Sequence, residues 1–136
     1  MATYEIEAKG MKVVIDDSLL YTETDEWVRV EGDRIVVGIT DYAQKMLKDV
    51  IGVELPERGR KYSKGEVVAV LESIKATGEV YAPASGTVVD VNERLIEEPE
   101  LVNKDPYGEG WIFAMKADDR PEGLLTHQEY AKKLAG

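Results

Sequence analysis

The sequence predicts a mainly β fold, and three observations carry that expectation. Short runs rich in β-branched and aromatic residues recur along the whole chain. Clusters of Gly, Pro, Asp and Ser punctuate them, as tight turns require. Only two substantial helical patterns appear, one in the middle and one at the C-terminus. The composition, 43% hydrophobic and 32% charged over 136 residues, is that of one globular domain.

Near the N-terminus, Tyr4-Glu5-Ile6 and Lys12-Val13-Val14-Ile15 offer an edge strand. Trp27-Val28-Arg29-Val30 follows the two-residue rhythm of a half-buried strand, and Gly32-Asp33 turns the chain into the return strand Arg34–Ile39. Further strands are expected at Ile51–Leu55, Val67–Glu72, Glu79–Ala82, Thr87–Val91 and Trp111–Met115. Thr40 can cap a helix from Asp41 to about Lys48, with Tyr42, Met46, Ala43 and Leu47 facing inward. Asp41 then sits in the first turn, where negative charge complements the helix dipole. Thr126 and Glu129 form a T-x-x-E capping box for a helix to about Ala135, with Tyr130, Ala131 and Leu134 on one face. Pro99-Glu100 begins a shorter helical turn. A faint repeat, G-x-V-V-x-V, occurs at Gly65–Val70 and at Gly86–Val91, with Ser73–Gly78 between the two copies.

Composition excludes several kinds of function. The chain lacks cysteine, which rules out disulfides, thiol catalysis and cysteine-based metal sites. Any sulfur redox chemistry must come from an added group. Twenty-seven acidic residues against 17 basic ones give a formal charge of -10, which disfavours nucleic acid and anionic membranes and suits basic patches on partner proteins. No apolar run approaches the ~20 residues of a membrane span. The acidic N-terminal stretch resembles neither a secretory signal nor a transit peptide, so a cytoplasmic location is expected, or a matrix one with a transit peptide already removed.

No nucleophile–base–orienter set can be assembled. His127, the only histidine, falls inside the C-terminal capping box and reads as a surface residue. Glu97-Glu98-Pro99-Glu100 lacks calcium-loop spacing. Gly108-Glu109-Gly110 is too short for a phosphate loop. Trp27 and Trp111 read as core, and Ser73 and Ser85 lack a nearby histidine. What stands out is a hairpin between Val67–Glu72 and Glu79–Ala82, with Lys75 near its tip and Gly78 supplying the positive φ of a tight reversal. By itself an exposed hairpin lysine ordinarily does no more than solubilise an edge.

The chain resembles the glycine cleavage H-protein family from about Leu20 to the C-terminus. The resemblance is carried by Glu26–Val30, Val37–Gln44, Val53–Pro56, Glu72-Ser73-Ile74-Lys75-Ala76, Val80–Pro83, Pro99–Asn103 and Asp105–Trp111. It implies a barrel-sandwich hybrid of the lipoyl/biotinyl type, with short peripheral helices and a C-terminal helix. Residues 1–18 would be an N-terminal extension and 19–136 a single lipoyl-carrier domain. It also implies that Lys75 carries lipoic acid as an amide, within the motif Glu72, Ser73, Ile74 and Ala76. Biotin carriers usually flank their lysine with methionine; Ile74 and Ala76 favour lipoyl.

The implied function is a non-catalytic shuttle. It passes an aminomethyl group from glycine decarboxylase (P protein) to aminomethyltransferase (T protein), and reducing equivalents to dihydrolipoyl dehydrogenase (L protein). A lipoate ligase or octanoyltransferase would load the lysine, and the carrier is expected to be a monomer. H-like carriers of lipoate relay or sulfur oxidation share the same lysine and are the alternative. Two departures from the family stand out: Asp25 where histidine commonly precedes Glu-Trp, and Thr77-Gly78 where a serine-containing segment is usual.

Overall fold

The computed structural model describes residues 2–136. Among the described residues, eleven strands form three sheets, and every pairing is antiparallel. β1 (Thr3–Ala8) and β2 (Met11–Asp16) pair only with each other. A six-stranded sheet has the order β3 (Leu20–Tyr21), β4 (Glu26–Glu31), β5 (Arg34–Ile39), β11 (Phe113–Ala117), β10 (Gly86–Val91), β7 (Lys61–Tyr62). A three-stranded sheet has β8 (Val67–Ser73) between β6 (Val50–Glu54) and β9 (Thr77–Tyr81). This is a lipoyl-type sandwich, mainly β as expected. The two-residue strands β3 and β7 carry too little pattern to be read in advance. The edge-strand candidates of the N-terminus instead make a hairpin of their own.

Helix α1 (Asp41–Leu47) follows β5, α2 (Arg94–Glu97) and α3 (Leu101–Lys104) follow β10, and α4 (His127–Ala135) ends the chain. Both predicted caps form. Thr40 Oγ1 accepts from the Ala43 N–H, and Thr126 and Glu129 exchange the two bonds of the capping box. Met46 is corrected: it is 45% exposed, whereas Asp41 and Gln44 are the buried residues of α1. Their polar partners explain the reversal. Asp41 accepts from the Val14 N–H and pairs with Lys45, while Gln44 donates to Asp41 and accepts from Asn103.

The central sheet is covered on both faces. Val28, Val37 and Met115 join the core shared with Leu71 and Val80 of the three-stranded sheet. Their chain neighbours Trp27, Val36 and Ala114 point the other way, into a second core with Ile15, Tyr21, Tyr130 and Leu134. The expectation of a half-buried strand at Trp27–Val30 therefore fails at its first two residues, because the N-terminal hairpin and α4 cover the outer face. Both α1 and α4 reach the loop before β4, through the Thr40 N–H on the Asp25 carbonyl and the Tyr130 hydroxyl on the Asp25 carboxylate, and that loop builds one wall of the site.

Candidate functional site

Lys75 stands at the turn of the β8–β9 hairpin, exposed to solvent. Its Nζ makes no hydrogen bond or ion pair among the described residues. Ser73 shapes the turn. The Ser73 N–H donates to the Ala76 carbonyl at 2.8 Å, and its Oγ accepts from the N–H groups of Lys75 (3.2 Å) and Ala76 (3.0 Å). The Ile74 N–H reaches the Asp49 carbonyl at 3.2 Å, tying the tip to the segment before β6. Glu72 and Ala76 are exposed, Ser73 is buried, and Ile74 is 68% exposed. The five-residue motif thus presents the lysine on a turn whose backbone is fixed at four points.

Gly78 is corrected. It lies within β9, paired with Leu71, and it is not in the left-handed region. Close approach explains it better: a Cβ there would sit 3.2 Å from Cδ2 of Leu47. This contact belongs to a groove of about 310 Å³ beside Lys75. Leu47, Met46, Ala43 and Tyr42 of α1 give it an apolar wall over the buried Ile39, Leu71 and Val80, and Thr24, Asp25 and Glu79 add polar groups.

Sequence reasoning passed over the two carboxylates at the start of β4, although Glu26 and Asp25 were both noted in the family comparison. Glu26 is 1% exposed. It accepts from the hydroxyls of Thr22 and Thr24 at 2.5 Å each and from the Tyr81 N–H at 3.2 Å, so one carboxylate joins the six-stranded sheet to the hairpin that presents Lys75. Burial, first among its causes, raises the Glu26 pKa above the ordinary carboxylate range despite these donors. Asp25 is raised as well, again mainly by burial.

A carboxyl whose folded pKa exceeds its unfolded one binds more protons in the folded state, across the window between the two values. Stability therefore falls as pH rises from the ordinary carboxylate value of about 4 toward the raised values, and the penalty is complete above them. Urea midpoints measured against pH should show this decline, and Glu26→Gln should make it shallower. Glu31, lowered chiefly by its hydrogen bond from Arg29, acts only below the ordinary value and leaves that window clear. A slope unchanged in Glu26→Gln would contradict the assignment.

No group of three or more His, Cys, Asp or Glu residues suited to a metal occurs among the described residues. His127 starts α4 and its Nδ1 lies 2.7 Å from the Tyr4 hydroxyl, a contact between α4 and the N-terminal hairpin. Trp27 is fully buried, with its indole N–H on the Pro106 carbonyl. No helix of the described residues is long and apolar enough to cross a membrane.

Known proteins match this arrangement. The profile of the family described as "Glycine cleavage H-protein" covers residues 19–136. A probable glycine cleavage system H protein of Aeropyrum pernix is 56% identical over 132 residues, 96% of this chain and 92% of the relative. That match reaches past residue 19 into the N-terminal hairpin. The glycine cleavage system H protein of Thermus thermophilus is 60% identical over 116 residues, 84% of this chain and 91% of its own. Among solved structures, a glycine cleavage system H protein from Mycobacterium marinum superposes with a TM-score of 0.82 at 37% identity, covering 88% of this chain and 98% of the other. With this sandwich, this presented lysine and these matches, the chain belongs to the glycine cleavage H-protein family.

Proposed function

We propose that Lys75 bears lipoate as an amide on Nζ and that the chain acts as a non-catalytic carrier in glycine cleavage. Its stations are glycine decarboxylase, aminomethyltransferase and dihydrolipoyl dehydrogenase, and a lipoate ligase or octanoyltransferase loads it. The carrying observation is the amine itself: exposed, without a protein partner among the described residues, and set on a turn held by Ser73 and Asp49. In the attachment step the Nζ–acyl bond forms as the bond from the acyl carbon to its activating group breaks, and the amine gives up a proton. A lysine engaged in an ion pair would resist that loss; this one has no such pair to break.

When attached, lipoate supplies the redox-active sulfur that the cysteine-free chain lacks. The chain's own residues do the rest. The fixed turn presents the arm outward at high effective concentration to whichever enzyme docks. The adjacent groove, apolar along Met46 and Leu47 of α1, offers the arm a place to lie away from water between encounters. The absence of an assembled catalytic set in the sequence agrees with a carrier role.

Intact mass after incubation with ligase, ATP and lipoate tests the attachment, and glycine-dependent exchange of carbon dioxide with glycine decarboxylase tests the pathway. Full modification followed by exchange is expected. Modification without exchange would move the carrier to another lipoate-dependent route, such as lipoate relay or sulfur oxidation.

A further inference from the structure

The N-terminal hairpin has two outer edges, and the fold closes only one of them. Lys9 and Gly10, both at positive φ, make the two-residue turn between β1 and β2. Antiparallel pairing alternates between pairs that exchange backbone bonds and pairs whose N–H and C=O groups point outward. The Asp17 N–H on the Ala2 carbonyl at 2.9 Å sets the phase: Thr3, Glu5 and Glu7 point outward from β1, and Asp16, Val14 and Lys12 opposite them point outward from β2. Side chains close the β2 edge. The Tyr21 hydroxyl accepts from the Asp16 N–H and donates to the Asp16 carbonyl, Asp41 accepts from the Val14 N–H, Tyr107 donates to the Val14 carbonyl, and Lys45 donates to the Lys12 carbonyl. The β1 edge is open. The outward N–H and C=O groups of Thr3, Glu5 and Glu7 have no hydrogen-bond partner among the described residues.

We propose that this edge docks an extended basic segment of a partner protein, which adds to β1 as a third, antiparallel strand. Free N–H and C=O groups at every second residue are the template for such an addition. The side chains set the partner's chemistry. Thr3, Glu5 and Glu7 are exposed, and neither glutamate forms an ion pair among the described residues, although Lys12 lies opposite Glu7. Between them Tyr4 and Ile6 are only half-buried against the second core, on the side where α4 packs. A strand with lysine or arginine at alternate positions, and apolar residues between, matches both faces. A second copy of the chain does not. In the symmetric antiparallel register that uses all three free residues, Glu5 lies opposite its own counterpart, and like charges directly opposite are destabilising. Charge that keeps an edge from pairing with itself selects an oppositely charged guest.

The placement leaves Lys75 free. The three-stranded sheet that carries it packs on one face of the central sheet, and the N-terminal hairpin packs on the other. Helix α1, which walls the groove beside Lys75, lies against β2, so β1 is the far strand of the hairpin. A segment docked there holds the chain on the side away from the lysine. The edge also lies outside residues 19–136, the part the family profile covers. The docking does not depend on what Lys75 bears.

The probe is the end-capped, fluorescein-labelled peptide Lys-Val-Lys-Val-Lys-Val-Lys, titrated into the full chain by anisotropy. Its lysine amides would bond to β1 and its valine amides would face away. N-methylation of the lysine amides should therefore weaken binding by about tenfold or more, and N-methylation of the valine amides should not. Glu5→Pro removes only an N–H that points to the open edge, where a strand tolerates proline. It should bind about tenfold more weakly than Glu5→Gln, which lacks the same charge, and circular dichroism checks that both variants fold. On addition of the peptide, the amides of Glu5 and Glu7 should gain protection from hydrogen exchange while that of Lys75 does not. No binding, equal binding of the two methylated peptides, or equal binding by Glu5→Pro and Glu5→Gln overturns the added strand, the last two reducing the interaction to net charge. A dimer of the chain that Glu5→Pro abolishes would give the edge to a second copy and overturn the basic partner.

Discussion

Lys75→Arg is expected to fold like the parent and to take up no lipoate at all. The side chain is exposed, and its amine makes no contact that the fold depends on, so its replacement should move stability by no more than about 0.5 kcal/mol. The chemistry responds differently. A guanidinium stays protonated at any pH the protein meets and has no free nitrogen lone pair to attack an activated acyl group. Intact mass after exhaustive treatment with ligase, ATP and lipoate should show the parent shifted by one lipoyl group and the variant unshifted. The turn makes a stricter version possible. In a Lys75→Ala background, Ile74→Lys displaces the amine by one residue, at a position whose N–H is committed to Asp49. Because misplacement on the order of 1 Å can cost ~100-fold in a positioned reaction, uptake should slow at least tenfold. A mass shift in Lys75→Arg would make another amine of the chain the acceptor.

Much of this fold was legible because its signals are local. Trp27–Val30 and Arg34–Ile39 with Gly32 between them, the caps Thr40 and Thr126, and the hairpin around Lys75 each depend on residues within a few positions of one another. What could not be read depends on distance along the chain. Met46 was expected inside by helical spacing, but α1 turns its polar side inward because Val14 and Asn103 offer partners there. The double burial of Trp27 and Val28 requires knowing that residues 3–16 and 127–135 cover the far face. The hydroxyl that bonds Asp25 comes from Tyr130, 105 positions away, and one donor to Glu26 is the Tyr81 N–H, 55 positions away. Near the site, the hairpin and its exposed lysine were legible in the sequence, and the groove beside them was not.

The repeated G-x-V-V-x-V shows how one letter can conceal two physical causes, and stability measurements should separate them. Gly65 precedes β8 with φ +89°, and a Cβ there would meet nothing within 4 Å. Gly86 opens β10, paired with Ala117 of β11 and Tyr62 of β7, and a Cβ on it would fall 2.9 Å from Ala117 Cα, 3.0 Å from Lys116 C and closer still to the Lys116 carbonyl oxygen. All three atoms are backbone, so no side chain can swing aside. Gly65→Ala therefore costs only the left-handed penalty, about 1–2 kcal/mol, and Gly65→Asn less, because asparagine enters that region readily. Gly86→Ala must part β10 from β11 at the end where Asp118 N–H also reaches the Ser85 carbonyl. Its cost should be about 3 kcal/mol, the upper end for overpacking, a fall in the urea midpoint of about 1.5 M for a slope near 2 kcal/mol/M. Asparagine at position 86 should be worse than alanine, the reverse of the order at 65. If both sites ranked the two substitutions alike, backbone conformation would be the common cause and the close approach of β11 would carry no weight.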